Sequence, residues 1–369
     1  MNLPDPLGTF LARAAYRREF PSASYALRRR GKLQALGAHG WAVLEPNREP
    51  ATVQTVYDVA SLTKLLCTAL LCGIAVENRA LKLDAKASSF LPELKGSAAG
   101  SASLSALLTH TAGLPAWMPL YAHGRGRRAY FHTLATIPRE RRSRSSAKYS
   151  DLGHLVLGWL LERVLGHPLD QAFETRIAGP LDLCSTRFKP PPSWKTRCAA
   201  SERACGFEHG RLAELSLSYR SFPRGIVRGQ VHDQNAAGLG GVAGHAGLFA
   251  IAAEAALIGE QFLPGRSQLL SPSTCKLFLR PWTRREGQRW ALAGELASCV
   301  DFRQSPPLPA SAVGLVGFTG TSLWIERGDE TVYVLLTNRH HPTYQSHSFN
   351  PFRRLFHRAA RNWLNCHQK

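Results

Sequence analysis

The chain contains no C-x-x-C pair, no H-E-x-x-H box and no uninterrupted apolar run of about 18 residues. The first two absences remove the familiar redox and zinc spacings, so the cysteines and histidines suggest no metal site. The third leaves no membrane span to expect. Eight cysteines are scattered between Cys67 and Cys366. Cys67 and Cys72 sit in an apolar stretch as small core residues, and this usage suits a reducing compartment better than a disulfide framework. Residues Met1 to Pro6 lack the basic start and apolar stretch of a signal peptide. As written, the chain is expected to be cytoplasmic, or periplasmic or secreted if a leader precedes it.

Acidic side chains are also scarce: 26 Asp and Glu face 46 Lys and Arg, a formal charge of +20. Arginines cluster at Arg28 to Arg30, at Arg125, Arg127 and Arg128, and from Arg139 to Arg144. No helix-turn-helix, zinc-finger or RNP pattern accompanies them, and aromatics are not interleaved with them. No specific nucleic acid is therefore expected; a solvated basic surface accounts for the charge, with weak attraction to anionic surfaces or substrates left open.

What is present reads as one large globular unit of 369 residues, 44% apolar and 20% charged. Residues 22 to 45 alternate around Gly31 and Gly37 as a pair of strands. Thr321 to Glu326 and Thr331 to Leu336 flank Arg327-Gly328-Asp329-Glu330 as a second hairpin. Apolar spacing predicts a helix from Ser61 to about Asn78 and another from Asp151 to Leu165, stopped by Gly166 and Pro168. Leu104 to Leu108 is a short helix, and Phe352 to Leu364 a basic amphipathic one. Residues 189 to 225, rich in Pro and Arg, are expected to be irregular. Strands at both ends with helices between imply an α+β (α/β sandwich) fold. Its antiparallel sheet is built from N- and C-terminal segments (20–60 and 285–340) and flanked by helices, with a mainly helical subdomain of roughly 80–225 inserted. Gly238-x-Gly240-x-x-Ala243 mimics a dinucleotide fingerprint, but the residues before it do not form a buried strand, so no nucleotide is expected there.

Chemistry centres on the stretch Val56 to Leu66, which contains Tyr57-Asp58-Val59-Ala60-Ser61-Leu62-Thr63-Lys64. Ser61 and Lys64 lie three apart, hence side by side on a helix. A serine hydroxyl needs a neighbour to take its proton, and a lysine can serve if burial lowers its pKa. The S-x-x-K spacing also occurs at Ser145/Lys148 and Ser273/Lys276, but only Ser61 opens a long apolar-faced helix. Tyr149-Ser150-Asp151 is the only Y-x-[ND] among nine tyrosines and caps the second helix. Taken alone, it is equally a packed ring beside an ordinary cap. Gly314-Leu315-Val316-Gly317-Phe318, ahead of the last hairpin, supplies a strand whose backbone N–H could meet an oxyanion; it is equally a glycine-rich bend. No G-x-S-x-G elbow is present.

These residues, with Leu107 to Pro115, Pro180 to Phe188, Val231 to Asn235, Gly240 to Phe249 and Gly317 to Ser322, stand in an order that resembles the serine β-lactamase and penicillin-binding-protein superfamily, in particular its class C and esterase-like branch. The resemblance implies acyl transfer through Ser61. Lys64 and Tyr149 would share the role of base, and the N–H groups of Ser61 and Phe318 would hold the oxyanion. Asp151 would bond Lys64 or the substrate, and no cofactor or metal is implied. One departure stands out. The family's third box is usually Lys or His, then Thr or Ser, then Gly, and here it reads Leu315-Val316-Gly317. Leu315 offers no cation and Val316 no hydroxyl for a substrate carboxylate. A small ester or amide substrate is therefore expected ahead of a β-lactam or a D-amino-acid peptide, with a catalytically impaired binding protein as the remaining alternative. Oligomeric state is not legible.

Overall fold

The computed structural model describes residues 5–139, 147–283, 289–298 and 307–367. Ser145 of the second S-x-x-K pair, Arg141, Arg142, Arg144 and Cys299 lie outside the described residues. Both chain ends feed one antiparallel sheet. Its strands are β1 (Ser22–Arg29), β2 (Lys32–Val43), β3 (Glu49–Pro50), β4 (Glu295–Leu296), β5 (Val313–Val316), β6 (Ser322–Glu326) and β7 (Thr331–Thr337). They lie in the order β3-β2-β1-β7-β6-β5-β4. The first strand and the last thus pair at the centre, Tyr25 opposite Leu335 and Leu27 opposite Tyr333. Arg30 and Gly31 both have positive φ, 50° and 80°, which turns β1 directly into β2.

The period-2 alternation of these strands divides two cores. Ala23, Tyr25, Leu27, Trp324, Tyr333 and Leu335 face the helices Gly8–Tyr16 and Asn350–Cys366, meeting Leu11, Phe352 and Phe356. Ala26, Leu323, Ile325, Val332, Val334 and Leu336 point the other way, into a larger core shared with the intervening helices. The helix Ala252–Glu260 lies on that second face. Gly259 permits the close approach, since a Cβ there would meet Val332 at 2.9 Å. The architecture is the α+β sandwich with helices on both faces that the sequence implies.

The Ser61 helix is the axis of the larger core. It runs from Ala60 to Glu77, with a mean hydropathy of 1.6 and 83% of its residues buried. Length and composition alone would let it cross a bilayer, yet it is sheathed by protein on all sides. Leu62, Leu65, Leu66, Leu70 and Leu71 are fully buried, each contributing about 1.5–3 kcal/mol of apolar transfer as an upper figure. The helix is not regular: a tight turn over Ala60–Leu62 widens to i→i+5 pairing over Lys64–Ala69 before becoming α-helical at Leu70–Glu77. Such widened turns gather at functional sites.

The helices Leu104–Leu108, Gly126–Thr136 and Asp151–Leu165 pack into the same core. Ser150 caps the last of these, and Gly166 ends it in the left-handed conformation. The expectation for residues 189–225 needs correction. Ala200–Arg203 pairs with Ile226–Arg228, and Gly206–Glu214 is a helix. Only Glu208 and Leu212 of that helix are buried, so its sequence carries too little apolar period to reveal it.

Candidate active site

Ser61 stands just inside a strained bend. Ala60, the residue before it, has φ of 49°, a region costly for an L-residue. The buried carboxylate of Asp58 holds the bend, accepting from the N–H of Ala60 at 2.9 Å and of His232 at 2.8 Å. Burial, the larger influence, and Asp233 nearby raise the pKa of Asp58. The glycine-rich run 240–249 grips the same helix rather than a nucleotide. Thr68 donates to the Gly244 carbonyl at 2.6 Å, and Val59 N–H to the Leu248 carbonyl at 3.1 Å. A Cβ on Gly244 would fall 2.8 Å from the Gly158 nitrogen, so the run needs glycine to reach this depth.

Lys64 is completely buried, and its ammonium meets three acceptors: Ser61 Oγ at 2.9 Å, Asp151 Oδ1 at 2.7 Å and the His245 carbonyl at 3.0 Å. Burial lowers its pKa, and the Asp151 carboxylate partly reverses the effect. On the other side, the Tyr149 hydroxyl lies 2.8 Å from Ser61 Oγ and 3.0 Å from Asp151 Oδ1. Burial first, then the Asp151 charge, drives the phenol pKa well above its ordinary value, so Tyr149 is a neutral phenol. Sequence-predicted Ser61, Lys64, Tyr149 and Asp151 therefore form one hydrogen-bonded cluster.

The segment that carries Tyr149 is held by Leu107 to Pro115 and the residue beyond it. Lys148 N–H donates to the His110 carbonyl at 2.9 Å and Ser150 N–H to His110 Nδ1 at 3.0 Å. Ser150 Oγ donates to the Pro115 carbonyl at 2.6 Å, and Asp151 N–H to that of Ala116 at 2.8 Å. The His110 ring also touches Tyr149 and Trp290, with centroids at 4.8 and 4.2 Å. Burial pushes the His110 pKa down to about 3, so this imidazole is neutral and free to accept.

The third predicted element closes the site from the sheet. β5 ends beside the Ser61 bend, and a Cβ on Gly317 would come within 2.8 Å of the Val59 carbonyl. Thr319 and Thr321 fasten the turn by donating to the carbonyls of Asp58 and Val59 at 2.9 and 3.1 Å. Among the described residues, the N–H groups of Ser61 and Phe318 meet no acceptor, which leaves both available to an oxyanion. Leu315 is buried and brings no charge.

Two cavities open on either side of Ser61, sharing Asp151 and Phe318. One, of about 390 Å³, is lined by Trp117, Phe207, Glu208, Arg211 and His232. The other, of about 410 Å³, is lined by Trp290, Leu315, Val316, Arg339 and Arg353. Sequence reasoning passed over Phe207, Glu208 and Arg211 because their helix was read as irregular, and Asp58 and His245 although both fall in blocks that carry the resemblance. Among the described residues, no three His, Cys, Asp or Glu side chains gather as a metal site. The described cysteines are all free.

Comparison with known proteins places this geometry. A Salmonella gallinarum protein, provisionally named a D-alanyl-D-alanine carboxypeptidase, is 28% identical over 82% of this chain and 73% of its own length. The solved structure of EstCE1, a hydrolase with promiscuous acyltransferase activity, superimposes with a TM-score of 0.72 at 21% identity, covering 95% of this chain and 97% of its own. A class C β-lactamase from Rhodobacter sphaeroides does so with a TM-score of 0.71 at 20% identity, covering 98% and 100%. The family model described as Beta-lactamase matches residues 9–355, and the chain belongs to that family of serine hydrolases.

Proposed function

We propose that Ser61 forms an acyl-enzyme with a small ester or amide and that water then releases the acid. The observation that carries this reading is the position of Ser61 Oγ, 2.9 Å from Lys64 and 2.8 Å from Tyr149, at the junction of two open cavities. Ser61 is the nucleophile, and Lys64 and Tyr149 are the groups that manage its proton. The N–H groups of Ser61 and Phe318 receive the developing oxyanion, a role in which one donor is worth on the order of 10²–10³ in kcat.

An ester or amide is favoured over a carboxylate-bearing lactam or peptide by what the third box lacks. Arg353 lines the cavity beside Leu315, but its guanidinium already donates to the Gly317 and Gly320 carbonyls and to Asn350, at 2.6, 3.3 and 2.8 Å. Arg339 likewise donates to the carbonyls of Gln345 and His347, at 3.1 and 2.5 Å. These partners hold both guanidinium groups at the cavity wall, and neither stands at position 315 itself, where the family's cation is carried. The test is paired turnover of p-nitrophenyl acetate and a chromogenic cephalosporin. Ester turnover exceeding lactam turnover is expected; the reverse ranking overturns the preference.

A further inference from the structure

The two helices that cover one face of the sheet present an outer surface far from the active-site serine. Neither Gly8–Tyr16 nor Asn350–Cys366 contains an aspartate or a glutamate. Their inner sides are committed to the smaller core, where Leu11, Phe352, Phe356 and Leu364 are buried and Phe10 stacks on Phe352 at 5.4 Å. Helical spacing then turns Arg13, Tyr16 and Arg17 away from the sheet, and likewise Arg354, Leu355 and Arg358. Arg13, Arg17 and Arg358 are exposed, as is Arg18 just beyond the first helix, with the half-buried Glu19 the single carboxylate next to them in the chain. Four large apolar side chains are exposed among the described residues, and two of them stand here, Tyr16 at 89% and Leu355 at 51%. The basic surface continues past the second helix. A cavity of about 470 Å³ opens there, lined by Arg29, Arg30, Lys32, Trp363 and His367. Asp329 is shared by Arg29 and Arg30, so one carboxylate answers two guanidinium groups, and Lys32 lies exposed beside them. Glu326, which also meets this layer, is buried and receives the Tyr333 hydroxyl at 2.8 Å and Arg361 at 3.5 Å.

We infer that this two-helix face docks on an anionic lipid bilayer, with the basic cavity receiving a phosphate-bearing headgroup. The arginines supply the attraction. Each basic residue close to such a surface strengthens binding roughly fivefold, and salt weakens the effect. Tyr16 and Leu355 supply what charge does not, apolar surface that enters the boundary between headgroups and acyl chains. A tyrosine or tryptophan suits that boundary, having an apolar ring and a polar tip, and Trp363 stands at the wall of the cavity. Because the inner sides of both helices are spent on the sheet, the helices lie along the bilayer surface and do not cross it. A nucleic acid would reward the arginines equally. It would gain nothing from Leu355, which offers neither a stacking plane nor a hydrogen bond, and this decides for lipid.

The experiment is co-sedimentation of the full chain with vesicles of phosphatidylcholine alone or of equimolar phosphatidylcholine and phosphatidylglycerol. Binding is expected with the anionic vesicles only, and added salt should weaken it. No binding to the anionic vesicles at low salt overturns the proposal, and this arm needs no variant. Combining Arg13→Ala, Arg17→Ala and Arg358→Ala should lower the affinity about 10²-fold, three losses of roughly fivefold each. The charge-matched set Arg128→Ala, Arg176→Ala and Arg224→Ala, exposed on the helical subdomain, should stay within about threefold of wild type. Equal losses in the two sets overturn the face as the docking site and leave net charge as the cause. All six arginines are exposed, so the midpoint of urea unfolding should be unchanged in both sets. Leu355→Ser should weaken binding on the order of tenfold, and unchanged affinity overturns its entry into the bilayer. A poly(U) strand is the rival ligand. Tighter binding of wild type to that strand than to the anionic vesicles, abolished by the first set, overturns lipid in favour of nucleic acid.

Discussion

The two walls that meet at Ser61 are built on opposite plans. The helix wall links a hydroxyl, an ammonium, a phenol and a carboxylate through contacts of 2.7 to 3.0 Å, and the ammonium also donates to the His245 carbonyl. The sheet wall, β5 and the turn after it, offers two apolar side chains, a glycine and backbone N–H groups. Proton handling resides in the first and is complete. On the proposed reading, substrate selection rests on the second, where the family's charged and hydroxylated side chains are replaced. On that reading, substitutions on the two walls should fail in different ways.

The largest effect belongs to Ser61→Ala. It removes the nucleophile while leaving a methyl group in a site with room for it, so folding should be unchanged. Ester turnover should fall on the order of 10⁴-fold or more, and fluorophosphonate labelling should vanish. Tyr149→Phe comes next, with an expected drop of about 10²–10⁴-fold in kcat and little change in KM, since the phenol acts on the proton and not on substrate binding. An equal loss in KM would mean that Tyr149 belongs to recognition, and the contrast between the walls would dissolve.

Gly317→Ala probes the sheet wall through its backbone. The added methyl would press on the Val59 carbonyl at 2.8 Å and push the Phe318 N–H away from Ser61. Steady-state kinetics should show about 10²-fold lower kcat, the scale of one lost oxyanion donor. Leu315→Lys instead supplies a cation without changing the cluster of Ser61, Lys64, Tyr149 and Asp151. The ratio of lactam to ester turnover should rise about tenfold, the effect of one favourable contact of about 1.4 kcal/mol in the transition state. An unchanged ratio would show that selection is governed elsewhere, with the cavity of Trp117 and Phe207 as the next place to look.

What the sequence revealed follows the same division. The apolar period after Ser61 and the cap at Ser150 are local signals, and the two helices they mark lie where expected. Hairpin alternation located β1, β2, β6 and β7, because one face of each strand is committed to each core. Tyr149 and Asp151 were legible as residues and the resemblance implied their meeting with Lys64, but the way His110 holds residues 148–150 across the chain was not. The helix Gly206–Glu214 stayed hidden because tertiary contacts, not its own pattern, order it. Glu208 is buried against the Tyr121 hydroxyl at 2.6 Å, an interaction that no periodicity announces. The widened turn at Lys64 was equally invisible, as nothing in a Leu- and Ala-rich helix marks a change of pairing.

The smallest predicted effect tests whether the helix wall is rigid because of its caps or because of its core. Ser150 Oγ accepts from the Gly153 N–H at 3.4 Å and donates to the Pro115 carbonyl at 2.6 Å, joining the helix Asp151–Leu165 to the loop that positions Tyr149. Ser150→Ala loses both bonds and should cost about 1 kcal/mol of stability, read as a lower midpoint in urea unfolding. Its effect on kcat should stay within a few-fold, because His110 still holds the N–H of residue 150 and Ala116 still accepts from Asp151. A kinetic loss approaching that of Tyr149→Phe at unchanged stability would place the rigidity of the wall in this single hydroxyl. The expected outcome, modest destabilisation with nearly intact turnover, places it in the packed imidazole and the buried helix beneath.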